Sequence, residues 1–294
     1  MGKGKQAEGG LAIKDIGIRE DRKCRIETAP LTLFASDNEQ SFWYGQLTEY
    51  IRRSTMATWV SHLMIADSVL KRFPQLDRHG FCVGNITPDC NVENEDWSSF
   101  IPSWEMTHWM SGDRKQASDC DRFYKEYIEG RREYIETDEE YSFLLGYWSH
   151  LITDAEYQRF TRDEERVAAA WKRIMNHPIL CQKASGMGES WDSIKKLIDK
   201  NDRMKDIYTI EAGYLEQHPE SGYFTEILGL KNFPRYIDYL PEGAIVRKIG
   251  VMGYLPRKET GKYPYTAMTK EEYRNFLDRT VELVIKAISE NGFL

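Results

Sequence analysis

Apolar positions take up a helical rhythm at residue 56. From there Trp59, His62, Ile65, Ala66, Val69 and Phe73 recur at three- and four-residue spacing, one face of a helix that Pro74 must end. The stretch that follows, FCVGNITPDCNVENEDWSSFIPSW, contains Gly84, Pro88 and Pro102 and cannot continue as one helix. Shorter helices are predicted over 103–111 and 119–135. Thr137 followed by Glu140 has the spacing of a capping box and opens a long helix through EEYSFLLGYWSHLITDAEYQRF. Further helices are predicted over 163–176, 189–203 and around 206–217, with the charge run DEERVAAAWKR as a solvated face. Segment 219–264 breaks the rhythm with Gly, Pro and Tyr, and its AIVRKIGVMGYL fits a strand or a covering loop. Thr269 with Glu272 starts the last helix, where Tyr273, Phe276, Leu277, Val281, Val284 and Ile288 share one face before Gly292. The pattern predicts a mainly all-α, multi-helix domain with an irregular C-terminal excursion.

Residues 1–55 lack this order. The first 23 are charged and non-periodic, which predicts a mobile arm, and aromatic residues support one short helix near 39–53. The expected division is therefore an N-terminal extension, 1–55, and a helical domain, 56–294. Acidic side chains outnumber basic ones, 47 to 40, for a net charge of −7, so no nucleic-acid partner is expected. Mean hydropathy is −0.61, and no apolar run approaches the roughly 18 residues of a transmembrane helix. Cys24, Cys82, Cys90, Cys120 and Cys181 form no CxxC pair, and the N-terminus has no apolar signal core. Free thiols and a cytoplasmic location follow. Gln6 removes the myristoylation motif at Gly2. The chain also lacks a GxSxG elbow, a P-loop, a GxGxxG after a strand and an adjacent His-Asp pair.

Three of the six histidines sit in apolar helical surroundings. His62 lies on the first helix, His108 in WEMTHWM, and His150 in LLGYWSHLITD with Asp154 four residues on. Side chains at i and i+4 start about 5–6 Å apart on one helix face. An imidazole nitrogen and a carboxylate oxygen so placed can both reach one metal ion at about 2.0–2.2 Å. Each residue also has a plainer reading, a buried histidine with one hydrogen bond or an ordinary helical ion pair. Asp154 follows a buried-looking run, where a carboxylate needs a cation or several donors. Asp89, in GNITPDC, either caps its turn or points inward. Cys90 beside it makes a poor nucleophile, since a neighbouring carboxylate raises a thiol's pKa. His79 is expected at a helix C-terminus, and His177 and His218, each before Pro, at helix ends. Trp59, Trp97, Trp104, Trp109 and Trp148 cluster in the same segments, as core or as a cage for a quaternary ammonium group.

The ordered set TWVSHLMIADSVL, GNITPDC, THWM and FLLGYWSHLITD resembles the zinc-dependent phospholipase C family, with relatives among zinc-dependent single-strand nucleases. The resemblance is strongest over 56–160 and begins at Met56, which makes that residue a plausible alternative start. It implies a mostly helical domain that holds zinc between helices and hydrolyses phosphoesters. Carried over, Asp89, His108, His150 and Asp154 are ligands of one metal, and His62 of a neighbour bridged by Asp154. Asp89 could also accept the proton of the attacking water, as a catalytic base. The family's mature N-terminal amine and Trp have no equivalent at the same place, and its downstream HisHisGlu set is missing. Glu156 and Glu164 remain as spare oxygen donors, or as solvated helix acids. One divalent ion or a close pair, zinc first, is therefore expected, with a small-molecule phosphoester as substrate. Two alternatives stay open: a non-catalytic binding or structural protein on the same scaffold, and a metal hydrolase of amide or other C–O bonds.

Overall fold

The computed structural model describes residues 57–95, 98–110 and 117–291, so the arm, the 39–53 helix and Met56 lie outside the described residues. The architecture is mainly α-helical, as the pattern predicts. Helix α1 (Trp59–Arg72) starts where Thr58 accepts a hydrogen bond from the Ser61 N–H and stops before Pro74. Helix α2 (Arg78–Gly84) was not expected; Asp77 caps it by accepting the Gly80 N–H at 2.7 Å. A two-stranded antiparallel ribbon follows, β1 (Val92–Glu93) with β2 (Phe100–Ile101). The expected 103–111 and 119–135 helices are shorter: α3 (Trp104–Thr107) and α4 (Cys120–Phe123), the latter continued by wider turns to Glu129.

Helix α5 (Asp138–Thr161) is the axis of the molecule, with buried residues on every face. Its capping box is half made. Thr137 accepts the Glu140 N–H, but the Glu140 carboxylate takes the N–H of Glu136. Then come α6 (Glu164–Asn176), α7 (Leu180–Lys183), α8 (Trp191–Leu197), α9 (Lys200–Gln217), α10 (Ala244–Met252) and α11 (Lys270–Glu290). The Thr269–Glu272 capping box of α11 is complete. His177 and His218 are the C-caps of α6 and α9, as expected.

Three expectations need correction. His79 lies in the first turn of α2, not at a helix C-terminus, and pairs with Glu226 at 3.0 Å. The charge run on α6 is solvated at Glu164, Glu165 and Lys172, but Arg166 leaves that face and is buried beside Val167, Ala170 and Ile174. AIVRKIGVM is neither strand nor loop but helix α10, begun by Gly243 at φ 71°. Its β-branched residues imitate a strand, yet Ala244, Ile245, Lys248 and Ile249 share a buried helical face. Buried Lys248 reaches Glu93 Oε2 at 2.8 Å, and Arg247 reaches Oε1 at 2.9 Å. The excursion is thereby pinned to the ribbon that leads out of the Asp89 loop.

Helix α2 owes its place to glycine. A Cβ on Gly80 would stand 2.3 Å from the Glu139 carbonyl oxygen, and one on Gly84 2.1 Å from that of Phe143. Gly146 meets the Phe81 carbonyl in the same way, at 2.2 Å. Backbone therefore packs on backbone, and the chain leaving α2 runs close over the middle of α5.

Candidate metal centre

That approach delivers a carbonyl to a histidine. Asn85, one residue past α2, places its oxygen 2.7 Å from His150 Nδ1 on α5. The Nδ1 proton is thereby engaged, and Nε2 is left to face Asp154 Oδ2 at 3.3 Å. Helix α3 does the same for His108. Its Nδ1 lies 3.1 Å from the Trp104 carbonyl and 3.0 Å from Thr107 Oγ1, and its Nε2 lies 3.3 Å from Asp89 Oδ1 and 3.5 Å from Asp154 Oδ2. Helix α1 brings in His62, whose Nε2 is 3.5 Å from Asp154 Oδ1 and whose ring stacks on His150 with centroids 3.8 Å apart. All five residues singled out in the sequence thus meet in one place, His62, His108, His150 and Asp154 fully buried and Asp89 nearly so.

Their donor set fits a divalent metal. Nε2 of His62, His108 and His150 and Oδ2 of Asp154 are buried without a hydrogen-bond partner among the described residues. Two triads, His62–His150–Asp154 and Asp89–His108–His150, each hold ligand atoms within 4.8 Å of one another. The nitrogen–oxygen spacings of 3.3–3.5 Å are long for hydrogen bonds. They match the edge of a tetrahedron with bonds of about 2.0–2.1 Å, roughly 3.3–3.4 Å.

Electrostatics is consistent with ionised carboxylates. Burial pushes both aspartates upward, but adjacent imidazoles outweigh it: His150 and His62 hold Asp154 well below the usual carboxylate range, and His108 holds Asp89 below it. Burial and the neighbouring His150 lower His62, whereas Asp154 lifts His150 above its ordinary value despite burial.

Other residues take plainer roles. Trp59 Nε1 donates to Asp89 Oδ2 at 2.8 Å, and Trp104 stacks on His108. Trp109 donates to Tyr239 and Trp148 to the Cys120 carbonyl, while Trp97 lies outside the described residues. Among the described residues these tryptophans serve separate contacts rather than a common cage. Cys90 is buried, which pushes its thiol far above the ordinary value. Glu156 is buried against Arg159 and Arg279, and Glu164 lies exposed in the first turn of α6, so neither joins the cluster.

The sequence reading missed Glu211. Fully buried on α9, it accepts hydrogen bonds from Thr58, Ser61 and Tyr273 on one oxygen, and its other oxygen has no partner among the described residues. Burial raises it to about 7, and it lines the same cleft as Trp59 and Asp89. An isolated Glu inside YTIEAGYLE carries no signal of this; only the crossing of α9 over α1 creates it.

Residues 61–156 match the family described as zinc dependent phospholipase C, which bears out the family read from the sequence. The match ends two residues beyond Asp154 and includes all five clustered side chains. No curated protein and no solved structure matches the chain.

Proposed function

We propose that the protein is a metal-dependent hydrolase of phosphoesters in which His62, Asp89, His108, His150 and Asp154 hold zinc, as one ion or a close pair. The observation that carries this reading is the convergence of three partnerless Nε2 atoms on two buried carboxylates at coordination spacing. When bound, the ion supplies a Lewis acid that activates water and offsets charge on a phosphoryl oxygen.

The chain's own residues prepare that chemistry. The Asn85 and Trp104 carbonyls hold the Nδ1 sides of His150 and His108, so their Nε2 lone pairs face inward. Asp154 stays ionised at the centre of the three imidazoles and offsets charge there. Asp89 differs from Asp154 in lining a cleft with Trp59, Met204, Tyr223 and Tyr254. We assign it the proton of the attacking water, with Trp59 orienting its carboxylate. The phenolic and apolar cleft wall receives the organic part of the ester. A small soluble phosphodiester or phosphomonoester suits it, in a reducing compartment such as the cytoplasm; Cys82, Cys90, Cys120 and Cys181 are free, and no described helix is long and apolar enough to cross a membrane. Residues 56–294 form the working unit of this proposal, with 1–55 as an extension.

The opening beside Asp89 favours catalysis over a purely structural ion, whose ligands would close the site. Chelator-stripped protein should gain turnover of bis(p-nitrophenyl) phosphate or p-nitrophenyl phosphate as zinc is restored. Asp89→Asn should lower that turnover at least about 100-fold. Turnover confined to p-nitrophenyl acetate would transfer the site to another bond, and zinc uptake with no turnover at all would favour the binding-protein alternative.

A further inference from the structure

A second cleft lies between the end of α5, helices α8 and α9, and the start of α11. Tyr157, Trp191, Lys195, Lys200, Arg203 and Met268 line it. It adjoins the Asp89 cleft, because Lys200 and Met204 line both. Its walls carry three basic side chains against one acid, Asp206, and of the three Lys195 is paired with Asp192 at 2.6 Å.

The partners of those cations matter most. Arg203 donates to the carbonyls of Ile198 and Lys195 and forms no ion pair among the described residues. Buried Arg166 donates to the carbonyls of Phe160, Thr161 and Ala267, again with no ion pair among the described residues. Both guanidiniums stand over Trp191, 5.6 and 4.7 Å from its ring centroid. Carbonyls engage every nitrogen of Arg166 and Nη1 of Arg203, yet neutralise neither, and the positive charge left beside the cleft favours an anion and repels a cation. Burial, then Arg203, pushes the Lys200 amine down to about 7, and an anion seated beside it would favour its charged form. The acid on the wall, Asp206, is engaged by the Tyr265 N–H at 2.8 Å, and burial raises it to about 6.

We infer that this cleft binds an anionic oxygen group, phosphate or carboxylate, attached to an apolar organic part that packs among the Tyr157, Trp191 and Met268 side chains of the wall. Lying next to the Asp89 cleft, it points to a phosphoester that carries a second anionic group as the substrate class, rather than one with a cationic head group. That last step rests on the phosphoesterase reading; the anion site itself does not.

Calorimetric titration of the metal-stripped full chain tests it with 1-naphthyl phosphate, 1-naphthoate and uncharged 1-naphthol. One or both anions should bind saturably, and naphthol at least about tenfold more weakly. The stronger of the two anions identifies the group preferred. Lys200→Gln should weaken anion binding about tenfold and leave naphthol unchanged, while Trp191→Leu should weaken all three. No anion binding at millimolar concentration, or affinity unchanged by both substitutions, would overturn the inference and leave Arg166 and Arg203 as staples of helix ends. Failure of the phosphoesterase reading would look different: anions bind, yet the zinc-loaded chain turns over no phosphoester.

Discussion

Buried charge around the middle of α5 is held by other ionisable groups, whereas the buried guanidiniums around α6, α8 and α9 are held by backbone carbonyls. His62, His108 and His150 face Asp89 and Asp154 and keep partnerless nitrogens between them. Arg166 and Arg203 instead place their donors on carbonyls near the ends of neighbouring helices. Converging ionisable groups with unused donor atoms form a site that a cation completes. Guanidiniums satisfied by neutral oxygens complete the packing themselves and leave only a field for a ligand to use. The difference extends to backbone. The metal half depends on glycines that let α2 touch α5, and the other half on long side chains that bridge helices.

The largest expected effect comes from Gly84→Ala. Its Cβ would meet the Phe143 oxygen at 2.1 Å, so α2 must shift, with a stability loss of about 3 kcal/mol in urea unfolding. The shift also carries Asn85 away from His150, and zinc affinity should fall about 10–100-fold. Arg166→Met should cost about 2 kcal/mol by stranding buried carbonyls, with zinc affinity of the folded protein unchanged. If it weakened zinc as much as Gly84→Ala, the contrast between the halves would fail. Trp59→Phe sharpens the contrast from the other side, with stability within about 1 kcal/mol of the parent and zinc affinity roughly tenfold lower in a competition titration.

The smallest effect is a pH slope. Glu211 is raised from 4.5 to about 7 in the fold, so the folded state keeps a proton that the unfolded chain releases. Its contribution is therefore fully present below 4.5 and is lost as pH rises through about 7. Glu211→Gln should flatten the fall in unfolding free energy between pH 5 and pH 8, and an unchanged slope would place the proton elsewhere.

The site was legible because its side chains carry their own signals: His150 and Asp154 share a helix at i and i+4, and the order of the others matches a family pattern. The devices that aim them were not. Helix α2 contains two glycines in its seven residues, which local propensity counts against a helix; its stability lies in contact with α5, 59 residues and more along the chain. Helix α10 was hidden by β-branched residues, and the pairing of Lys248 with Glu93 spans 155 positions. Arg166 read as solvated because its neighbours Glu164 and Glu165 are exposed while it alone turns inward.

Elemental analysis of the full chain, purified without added metal and then equilibrated with zinc, separates a metal centre from a buried ionic cluster when run beside His150→Ala and Asp154→Ala. One or two zinc ions per native chain are expected, with loss of zinc in both variants while their helical circular dichroism persists. A native chain that takes up no zinc, or variants that hold as much as the parent, would contradict the metal centre.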